Sequence, residues 1–246
     1  MDILYGKNPV LEALRSGRGV RKLVIAEGVR DEARLREIIE LAERSNVAIE
    51  ETSRRRLDDI AHNEHHQGVV GYFHAREVLD LEDLIAGAAT PALFLVLDGI
   101  QDPQNLGALA RTAEAVGVDG MIVAKHRAAS VTASAAKASA GATEHVKLAT
   151  VTNLVNALDR LAEVGVWRIG MAGEGTTRYD QFDYTSPVAL VVGAEGEGLR
   201  PLTRRHCDAL VSLPMLGRIS SLNAGVAGGI LMYEAARQRQ FAVGAR

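Results

Sequence analysis

The stretch that decides the fold is PALFLVLDGI at residues 91–100, a nearly unbroken apolar run of strand length. A strand covered on both faces has this composition, whereas a strand with one solvent face alternates. The pattern is repeated at residues 120–126, 166–173, 187–196 and 208–215, and stretches with helical spacing lie between the runs. This alternation predicts a parallel sheet with right-handed crossover helices.

Polar, glycine-containing loops follow three of these strands. The first loop follows Leu97, the second follows Val192, and the third begins near Leu213. Because an open parallel sheet binds ligands beyond the carboxyl ends of its strands, these loops are the predicted ligand site. The glycine fingerprint of dinucleotide-binding folds and the phosphate-binding loop of nucleotide hydrolases are both missing from them, which disfavours those two kinds of site.

The composition is that of an ordinary globular chain. Of 246 residues, 47% are hydrophobic and 24% are charged, which excludes global disorder. The single cysteine excludes a disulfide framework and a multi-cysteine zinc site. With 28 basic and 31 acidic side chains the net charge is −3, so any contact with nucleic acid must come from local patches. The first residues show no signal-peptide pattern, and no stretch approaches the about 20 apolar residues of a membrane span, so we expect a cytoplasmic protein without membrane contact.

Residues 1–75 are predicted to form a small α/β domain, because short strands and amphipathic helices alternate there. Within this domain, Asp31 is the expected N-cap of a helix. Residues 76–90 show a weaker pattern of apolar and polar residues and are expected to be a linker with one short helix. Residues 91–246 then form the domain that contains the predicted parallel sheet.

The three loops and their flanking helices carry motifs that resemble one protein family. The motifs read DPQNLGALARTAEAVGVDG at residues 102–120, VVGAEGEGL at 191–199 and LPMLGRISSLNAGVAGGILMYEA at 213–235. In order and spacing they resemble the SpoU/TrmH branch of the SPOUT superfamily, whose members are RNA 2'-O-ribose methyltransferases. The resemblance implies a parallel-sheet catalytic domain with a C-terminal trefoil knot, S-adenosylmethionine (SAM) as methyl donor without a metal, and a homodimer.

Three further segments indicate one subgroup within this family. YGKNPVLEAL at residues 5–14, HHQGVVGYF at 65–73 and AAKASAGATEHV at 135–146 are similar to the subgroup that methylates a guanosine in the peptidyl-transferase region of bacterial 23S rRNA. In that subgroup the N-terminal domain is L30e-like, resembling the ribosomal protein of that name, and binds RNA. The implied function is methyl transfer from SAM to a guanosine ribose of 23S rRNA or its precursor.

Other functions stay open at this point. A tRNA 2'-O-methyltransferase and a resistance methyltransferase that acts on another rRNA loop belong to the same superfamily. A catalytically silent ribosome-assembly factor is an alternative of another class. That alternative is motivated by Gly225, which stands where the family usually has a serine.

The resemblance implies four catalytic residues: Asn105, Arg111, Glu195 and Asn223. Arg111 lies about two turns into the helix that begins near Asn105, and its planar guanidinium would hold an RNA phosphate or the 2'-oxygen. Because a guanidinium stays protonated, the expected proton acceptor is a phosphate or water held by Arg111. The structural alternative for Arg111 is a surface pair with Glu114. Glu195 would orient Arg111 or the substrate hydroxyl, and Asn223 is also a candidate N-cap of the last helix.

The resemblance places the cofactor on the second and third motifs. The implied SAM-binding residues are Gly193, Gly196, Leu213, Met215 and Leu222. Glycine permits close backbone approach and positive φ, and the apolar side chains would sandwich the adenine. An ordinary strand-to-helix turn is the alternative, although it explains one glycine better than several.

Several residues outside the three motifs carry weaker signals. Arg54 and Arg55 are candidate RNA-binding residues, because arginines neutralise phosphates; a solvated helix start is the alternative. The histidines of residues 62–66 are expected to lie in a solvated loop rather than in a metal site. Trp167 is expected in the core, since only 4% of the chain is aromatic. Cys207 is expected to be a packed small hydrophobe.

Overall fold

The computed structural model describes residues 1–29, 32–62, 64–125 and 133–239. The described chain divides into two compact units. Residues 1–77 and 133–145 form the first unit, and residues 78–125 and 146–239 form the second. No helix within these ranges is both long and apolar enough to cross a membrane.

The first unit is built on a four-stranded sheet in the order β1-β4-β2-β3. Its strands are β1 (Asp2–Tyr5), β2 (Val20–Ala26), β3 (Ala48–Thr52) and β4 (Val69–Phe73). Its helices are α1 (Lys7–Arg15), α2 (Ala33–Arg44), α3 (Arg54–Ala61) and, later in the chain, α6 (Ala133–Ala138). Strand β4 pairs antiparallel with β1 and β2, whereas β2 and β3 are parallel.

The helices of the first unit form where the apolar spacing predicts them. Helix α2 buries Leu35, Ile38 and Ile39 on one face, which is the stripe of an amphipathic helix against a core. Asp31, the expected N-cap of this helix, lies outside the described residues. The predicted α/β alternation of this part of the chain is confirmed.

Residues 133–145 pack in the first unit, although the sequence analysis placed them in the second domain. Ala136 belongs to the core of the first unit. The buried carboxylate of Glu144 pairs with Nη1 of Arg18 at 2.9 Å, and Nε2 of His145 lies 2.8 Å from Oε2 of Glu12. The first unit is therefore completed by a segment that comes much later in the sequence.

The second unit is built on a seven-stranded sheet in the order β7-β6-β5-β10-β8-β11-β9. Its strands are β5 (Leu93–Asp98), β6 (Gly120–Ala124), β7 (Leu148–Val151), β8 (Trp167–Met171), β9 (Thr177–Arg178), β10 (Val188–Gly193) and β11 (Ala209–Ser212). Its helices are α4 (Leu81–Ala86), α5 (Pro103–Val116), α7 (Leu154–Glu163), α8 (Pro201–Arg205) and α9 (Ala224–Gln238). All six strand pairings are parallel, which confirms the predicted sheet.

The core of the second unit follows the apolar runs of the sequence. Strands β5 and β10 lie side by side, and every residue of both is buried. Leu84 of α4 is fully buried in this core, and Leu79 forms a β-bridge with Ala149 of β7. Residues 78–90, expected to be a linker, therefore pack as part of the second unit.

The expectation that Trp167 lies in the core is wrong. Trp167 is the first residue of β8, and 51% of its surface is exposed. Only the middle of β8, at Ile169 and Gly170, is buried. A low aromatic content does not force every aromatic side chain inward, because exposed apolar atoms are common at strand ends.

Helices α5 and α9 approach closely through glycine. A Cβ on Gly228 would lie 2.4 Å from Cδ2 of Leu109, and a Cβ on Gly225 would lie 3.0 Å from the Cβ of Ala108. Glycine costs about 1 kcal/mol relative to alanine inside a helix. Here that cost is offset by the close packing of the two helices that begin at the predicted site.

Arg239, just past the end of α9, attaches this helix to the edge of the sheet at which the strands begin. Its guanidinium donates hydrogen bonds of 2.7–2.9 Å to the carbonyls of Pro91, Ala92, Tyr184 and Ser186. Burial lowers the pKa of Arg239. The four carbonyls that accept these hydrogen bonds come shortly before β5 and β10 in the chain. The end of α9 is therefore held where the two central strands begin.

Candidate active site

The three predicted loops meet at one edge of the seven-stranded sheet. Strands β5, β10 and β11 belong to one parallel sheet, so their carboxyl ends share an edge. Asn105 lies in the first turn of α5, which follows β5. Glu195 follows β10, and Asn223 is the N-cap of α9 after β11. Each of these residues therefore lies in the connection that leaves one of the three strands at this edge.

Asn105, Glu195 and Asn223 form a hydrogen-bonded cluster, called here the amide–carboxylate cluster. Nδ2 of Asn223 donates to Oδ1 of Asn105 at 2.7 Å and to Oε2 of Glu195 at 2.9 Å. Nδ2 of Asn105 donates to the same Glu195 oxygen at 3.2 Å. Asn105 is buried, whereas Glu195 and Asn223 are exposed. Three of the four residues that the motifs imply as catalytic are thus in direct contact.

Helix capping fixes the orientation of the cluster. Oδ1 of Asn223 accepts hydrogen bonds from the backbone N–H of Gly225 at 3.0 Å and of Val226 at 3.3 Å. This is the expected N-cap, and it leaves Nδ2 free to reach the cluster. At the start of α5, Asp102 caps in the same way and accepts from Asn105 N at 3.0 Å. The backbone that carries two of the three side chains is therefore held by its own helix start.

Arg111 stands apart from the amide–carboxylate cluster. It lies on α5 six residues after Asn105 and is exposed. Six residues correspond to about 240° around a helix, so the two side chains leave α5 in different directions. In the described part of the chain, Arg111 has no ion pair with Glu114, and its guanidinium is available to a ligand.

A cavity of about 400 Å³ lies beside the cluster. Its lining includes all five residues implied in cofactor binding: Gly193, Gly196, Leu213, Met215 and Leu222. Glu195 also lines this cavity, so the cluster stands at its wall. The cavity has the size range of small-molecule sites, which is about 300–1,000 Å³.

The glycines of the loop after β10 are required by its backbone. Gly196 and Gly198 have φ values of 81° and 67°, in the region that favours glycine. A Cβ on Gly193 would lie only 2.2 Å from the carbonyl carbon and oxygen of Gly198. The loop therefore folds back onto the end of β10 and brings its backbone N–H and C=O groups to the cavity.

Sequence comparison identifies the family of the chain. The family model described as SpoU rRNA Methylase matches residues 92–233. The chain belongs to the SpoU rRNA methylase family. A second family model, described as RNA 2'-O ribose methyltransferase substrate binding, matches residues 3–79. The family that the motifs indicate is confirmed.

Individual relatives of this SpoU chain match over nearly its full length. A putative TrmH family tRNA/rRNA methyltransferase of Bacillus subtilis is 42% identical over 97% of this chain and 96% of that protein. A 23S rRNA (guanosine-2'-O-)-methyltransferase of Shewanella oneidensis is 44% identical over 97% of this chain and 98% of that protein. Another protein with that name, from Pseudomonas putida, is 42% identical over 98% of each chain.

Solved SpoU structures share the fold. The SpoU methyltransferase AviRb of Streptomyces viridochromogenes superposes with a TM-score of 0.82 at 28% identity, over 97% of this chain and 89% of that one. The same enzyme in complex with its cofactor AdoMet, which is SAM, superposes with a TM-score of 0.81 at 28% identity, over 96% and 90% of the two chains. The predicted SPOUT-type α/β class is confirmed, and the C-terminal trefoil knot stays a prediction.

Gly225 of this SpoU chain, where the family usually has a serine, has a packing explanation. Its added Cβ would lie 3.0 Å from the Cβ of Ala108 and 3.2 Å from Oδ1 of Asn223. A side chain at this position would crowd both α5 and the capping amide. The backbone N–H of Gly225 still donates to Asn223, so the glycine preserves the cap while the two helices stay close.

Two features at the site edge of the sheet were not predicted from the sequence. Residues 171–174, at and just after the end of β8, line the cavity beside the cofactor motifs. They are a glycine-containing loop after a parallel strand, so the rule that found the other three loops applies to them as well. Asp98, the buried last residue of β5, pairs with Arg200. A strand-end carboxylate gives no sequence signal of its partner.

The candidates in the first unit lie outside the amide–carboxylate cluster. Arg54 and Arg55 are exposed on the first turn of α3, whose N-cap is Ser53.

The expectation of a wholly solvated histidine loop is wrong for His66, which is 3% exposed. Its Nδ1 accepts from Gly68 N at 3.0 Å, and its Nε2 lies 3.0 Å from Oδ1 of Asp58. Across the described ranges, no group of three His, Cys, Asp or Glu residues is arranged to hold a metal ion.

Cys207 is packed rather than reactive. Its Sγ lies 3.4 Å from the carbonyl oxygen of Thr203, and a Cβ on Gly170 would lie 2.9 Å from the sulfur. Burial raises the pKa of this thiol to about 12. Since the thiolate is the nucleophilic form, Cys207 has no role in the chemistry of the site.

Proposed function

We propose that the protein transfers a methyl group from S-adenosylmethionine to the ribose 2'-hydroxyl of a guanosine in 23S rRNA. The observation that carries the proposal is the amide–carboxylate cluster at the wall of the cavity. Membership of the SpoU rRNA methylase family supports the reaction class. Relatives named as 23S rRNA (guanosine-2'-O-)-methyltransferases, at 42–44% identity over nearly the full chain, support the base and the RNA.

The cavity fits S-adenosylmethionine. The folded-back loop of residues 193–199 offers backbone donors and acceptors for the adenine edge, and Leu213 and Leu222 offer apolar surface for its faces. Glu197 also lines the cavity and suits the positive groups of this cofactor, whereas Glu174 in the same lining is paired with Arg204. When bound, the cofactor supplies a methyl group that its sulfonium charge already activates.

The amide–carboxylate cluster orients the acceptor hydroxyl. Oε2 of Glu195 accepts from the amides of Asn105 and Asn223, which holds the carboxylate in one orientation. A carboxylate fixed in this way accepts a hydrogen bond from a ribose hydroxyl and thereby fixes the orientation of the hydroxyl oxygen. Alignment of reacting groups is worth up to about 7–11 kcal/mol in ideal intramolecular reactions, so positioning is the main task of these residues.

Arg111 holds the substrate backbone in this proposal. Its exposed guanidinium presents the planar fork that suits a phosphate. Because the group stays protonated, it does not remove the hydroxyl proton itself; a phosphate oxygen or water that it holds does so. Arg54 and Arg55 contribute separate phosphate contacts from the first unit, whose sequence matches a substrate-binding family.

The protein acts as a homodimer in the cytoplasm in this proposal. Val226 and Tyr233 lie two turns apart on α9, and each is 51% exposed. Two apolar side chains at this spacing form a patch on one helix face, which a second copy would cover around a two-fold axis. The cytoplasm is where rRNA and its precursors are available to a bacterial enzyme of this family.

Mapping 2'-O-methyl groups in the rRNA and tRNA of a deletion strain tests the proposed function. One guanosine of 23S rRNA is expected to lose its methyl group and to regain it when the wild-type chain is expressed. Loss of methylation only in tRNA would replace this proposal with the tRNA methyltransferase. An unchanged methylation map together with a ribosome-assembly defect would replace it with the silent assembly factor.

A further inference from the structure

Arg200 is held rigidly by a buried carboxylate that the proposed reaction does not use. Asp98 ends β5 and is 1% exposed. Its Oδ2 accepts from the backbone N–H of Arg200 at 2.8 Å, and its Oδ1 accepts from Nε and Nη2 of the same residue. The Arg200 side chain is nevertheless 51% exposed. One edge of the guanidinium is therefore fixed, and Nη1 points away from the pair.

A second cavity includes Arg200 in its lining. Its volume is about 500 Å³, and its lining comes from the ends of β6 and β7 and from the starts of α7 and α8. Apolar walls are provided by Leu154, Pro201 and Leu202, and Arg200 supplies the charged group. No residue that lines this cavity also lines the cofactor cavity.

The strand order separates the two cavities. The cofactor cavity is lined from β10, β8 and the segment after β11, whereas the second cavity is lined from the ends of β6 and β7 and from the start of α8, which follows the β10 loop. Strand β5, which leads into Asn105, lies between β6 and β10. A nucleoside whose ribose reaches the amide–carboxylate cluster therefore has the second cavity on the side that the cofactor does not occupy.

We propose that the second cavity receives the base of the methylated guanosine and that Arg200 is a specificity-determining residue that reads its N7 and O6. This inference rests on the proposed function and adds to it the group that selects the base. The charge of Arg200 is balanced by Asp98, so the pair suits a neutral base edge better than a phosphate. The free hydrogens on Nη1 and Nη2 form the two-pronged donor that guanine N7 and O6 accept. Leu202 and Pro201 supply apolar surface for the flat faces of the base.

Atom-level changes in the RNA test this assignment. The substrate is the 23S rRNA fragment that the wild type methylates, with guanosine, 7-deazaguanosine or inosine at the target position. The single-turnover rate of methyl transfer is measured for each. Wild type is expected to lose about tenfold or more on 7-deazaguanosine, which lacks N7, and little on inosine, which keeps N7 and O6.

The variant Arg200→Met is expected to abolish that discrimination. Methionine keeps an apolar stem but carries no donor for N7 or O6, so the rates on guanosine and 7-deazaguanosine should become equal. The matched control is Arg160→Met, because Arg160 is also a partly exposed arginine paired with carboxylates, those of Glu82 and Glu163. The control should discriminate as the wild type does.

A second variant avoids the Asp98 pair altogether. Leu202 is 59% exposed and lines the second cavity, and its side chain has no polar atom that could pair with Asp98. Leu202→Trp should fill the space for the base and slow transfer to the guanosine fragment about tenfold or more, while calorimetry shows unchanged SAM affinity. Unchanged transfer by this variant would contradict the assignment of the cavity.

The outcomes separate this inference from the proposed function. If wild type methylates the guanosine fragment but handles 7-deazaguanosine equally well, the base-reading role of Arg200 is wrong and the proposed function stands. The same holds if Arg200→Met discriminates as the wild type does. If wild type transfers no methyl group to guanosine, both are wrong.

Discussion

Asn223 and Asn105 are joined by a hydrogen bond of 2.7 Å between Nδ2 and Oδ1, although 118 residues separate them in the sequence. Asn223 caps α9 and Asn105 lies in the first turn of α5, so the bond brings two helix N-termini together. Helix N-termini carry a partial positive charge. The carboxylate of Glu195 accepts from both amides and so lies beside both helix starts, where their partial charges favour it.

The variant Asn223→Asp is expected to keep the fold and lose activity. Aspartate caps a helix about as well as asparagine, so the start of α9 is kept and the protein should still fold. A second carboxylate would then face Glu195 where a 2.9 Å hydrogen bond exists now. We expect methyl transfer to fall at least about 10²-fold, measured in single turnover with labelled SAM.

Asp80→Ala is the control for the capping change. Asp80 caps α4 by accepting from Asp83 N at 2.8 Å, and its loss should cost about 1 kcal/mol of stability without slowing transfer. If Asn223→Asp kept the wild-type rate, the cluster would be structural only.

The variant Arg111→Ala is expected to leave the fold and the SAM affinity nearly intact and to slow transfer at least about 10²-fold, because a positioning cation is lost. Arg111→Lys should restore little, since an ammonium cannot make the two-pronged contact. Arg54→Ala gives the contrast: RNA binding and its salt dependence should weaken modestly, while the rate at saturating RNA stays unchanged. A wild-type rate for Arg111→Ala would remove this residue from the site.

The variant Gly193→Ala is expected to lose SAM binding. The added methyl would lie 2.2 Å from the backbone of Gly198, so the loop cannot keep its fold-back. Calorimetric titration should show at least about a tenfold weaker affinity. Gly217→Ala is the matched control, because a Cβ at this position meets no atom within 4 Å. Equal affinities for the two variants would show that the loop shape is not needed for the cofactor.

The thiol of Cys207 is expected to be inert in the native protein. Burial raises its pKa from 9.0 to about 12, so the thiolate becomes abundant only near pH 12. At pH 8, alkylation by iodoacetamide should be far slower in the native protein than in urea-unfolded protein, because only the thiolate reacts. Equal alkylation rates in the two states would mean that the thiol is accessible and ionised in the folded chain.

A homodimer is expected at micromolar concentration. Light scattering should give twice the chain mass of 26.3 kDa. Replacing Tyr233 of α9 by a charged residue, Tyr233→Glu, should shift the mass towards the monomer, because the substitution places a charge in the proposed interface. Trp167→Glu, at an equally exposed aromatic position on β8, should leave the mass unchanged. A wild-type mass of one chain would contradict the dimer.

Much of the second unit could be predicted from the sequence. Buried parallel strands such as β5 and β10 are continuous apolar runs, and the motifs gave Asn105, Glu195 and Asn223 before their contacts were known. The cluster itself could not be predicted from spacing, because its hydrogen bonds cross 90 and 118 residues. Side-chain direction was predictable in part: the helical period already separates Arg111 from Asn105.

Three features had no usable sequence signal. The alanine-rich segment around Ala136 is apolar and helical in pattern, but periodicity does not tell which of two cores it joins. The exposure of Trp167 depends on how far the neighbouring elements cover the end of β8. The pairing of Asp98 with Arg200 joins residues that are 102 positions apart, and a carboxylate at a strand end has many available partners.

The return of residues 133–145 to the first unit affects how the chain matures during synthesis. Domains commonly fold in order from the N-terminus as they leave the ribosome. Here Arg18 cannot pair with Glu144 until β5, α5 and β6 have been synthesised, because Glu144 comes after them in the chain. The core of the first unit likewise lacks Ala136 until then. The first unit is therefore finished only after translation of the second unit is under way. A fragment ending near residue 77 would expose the apolar surface that this late segment covers.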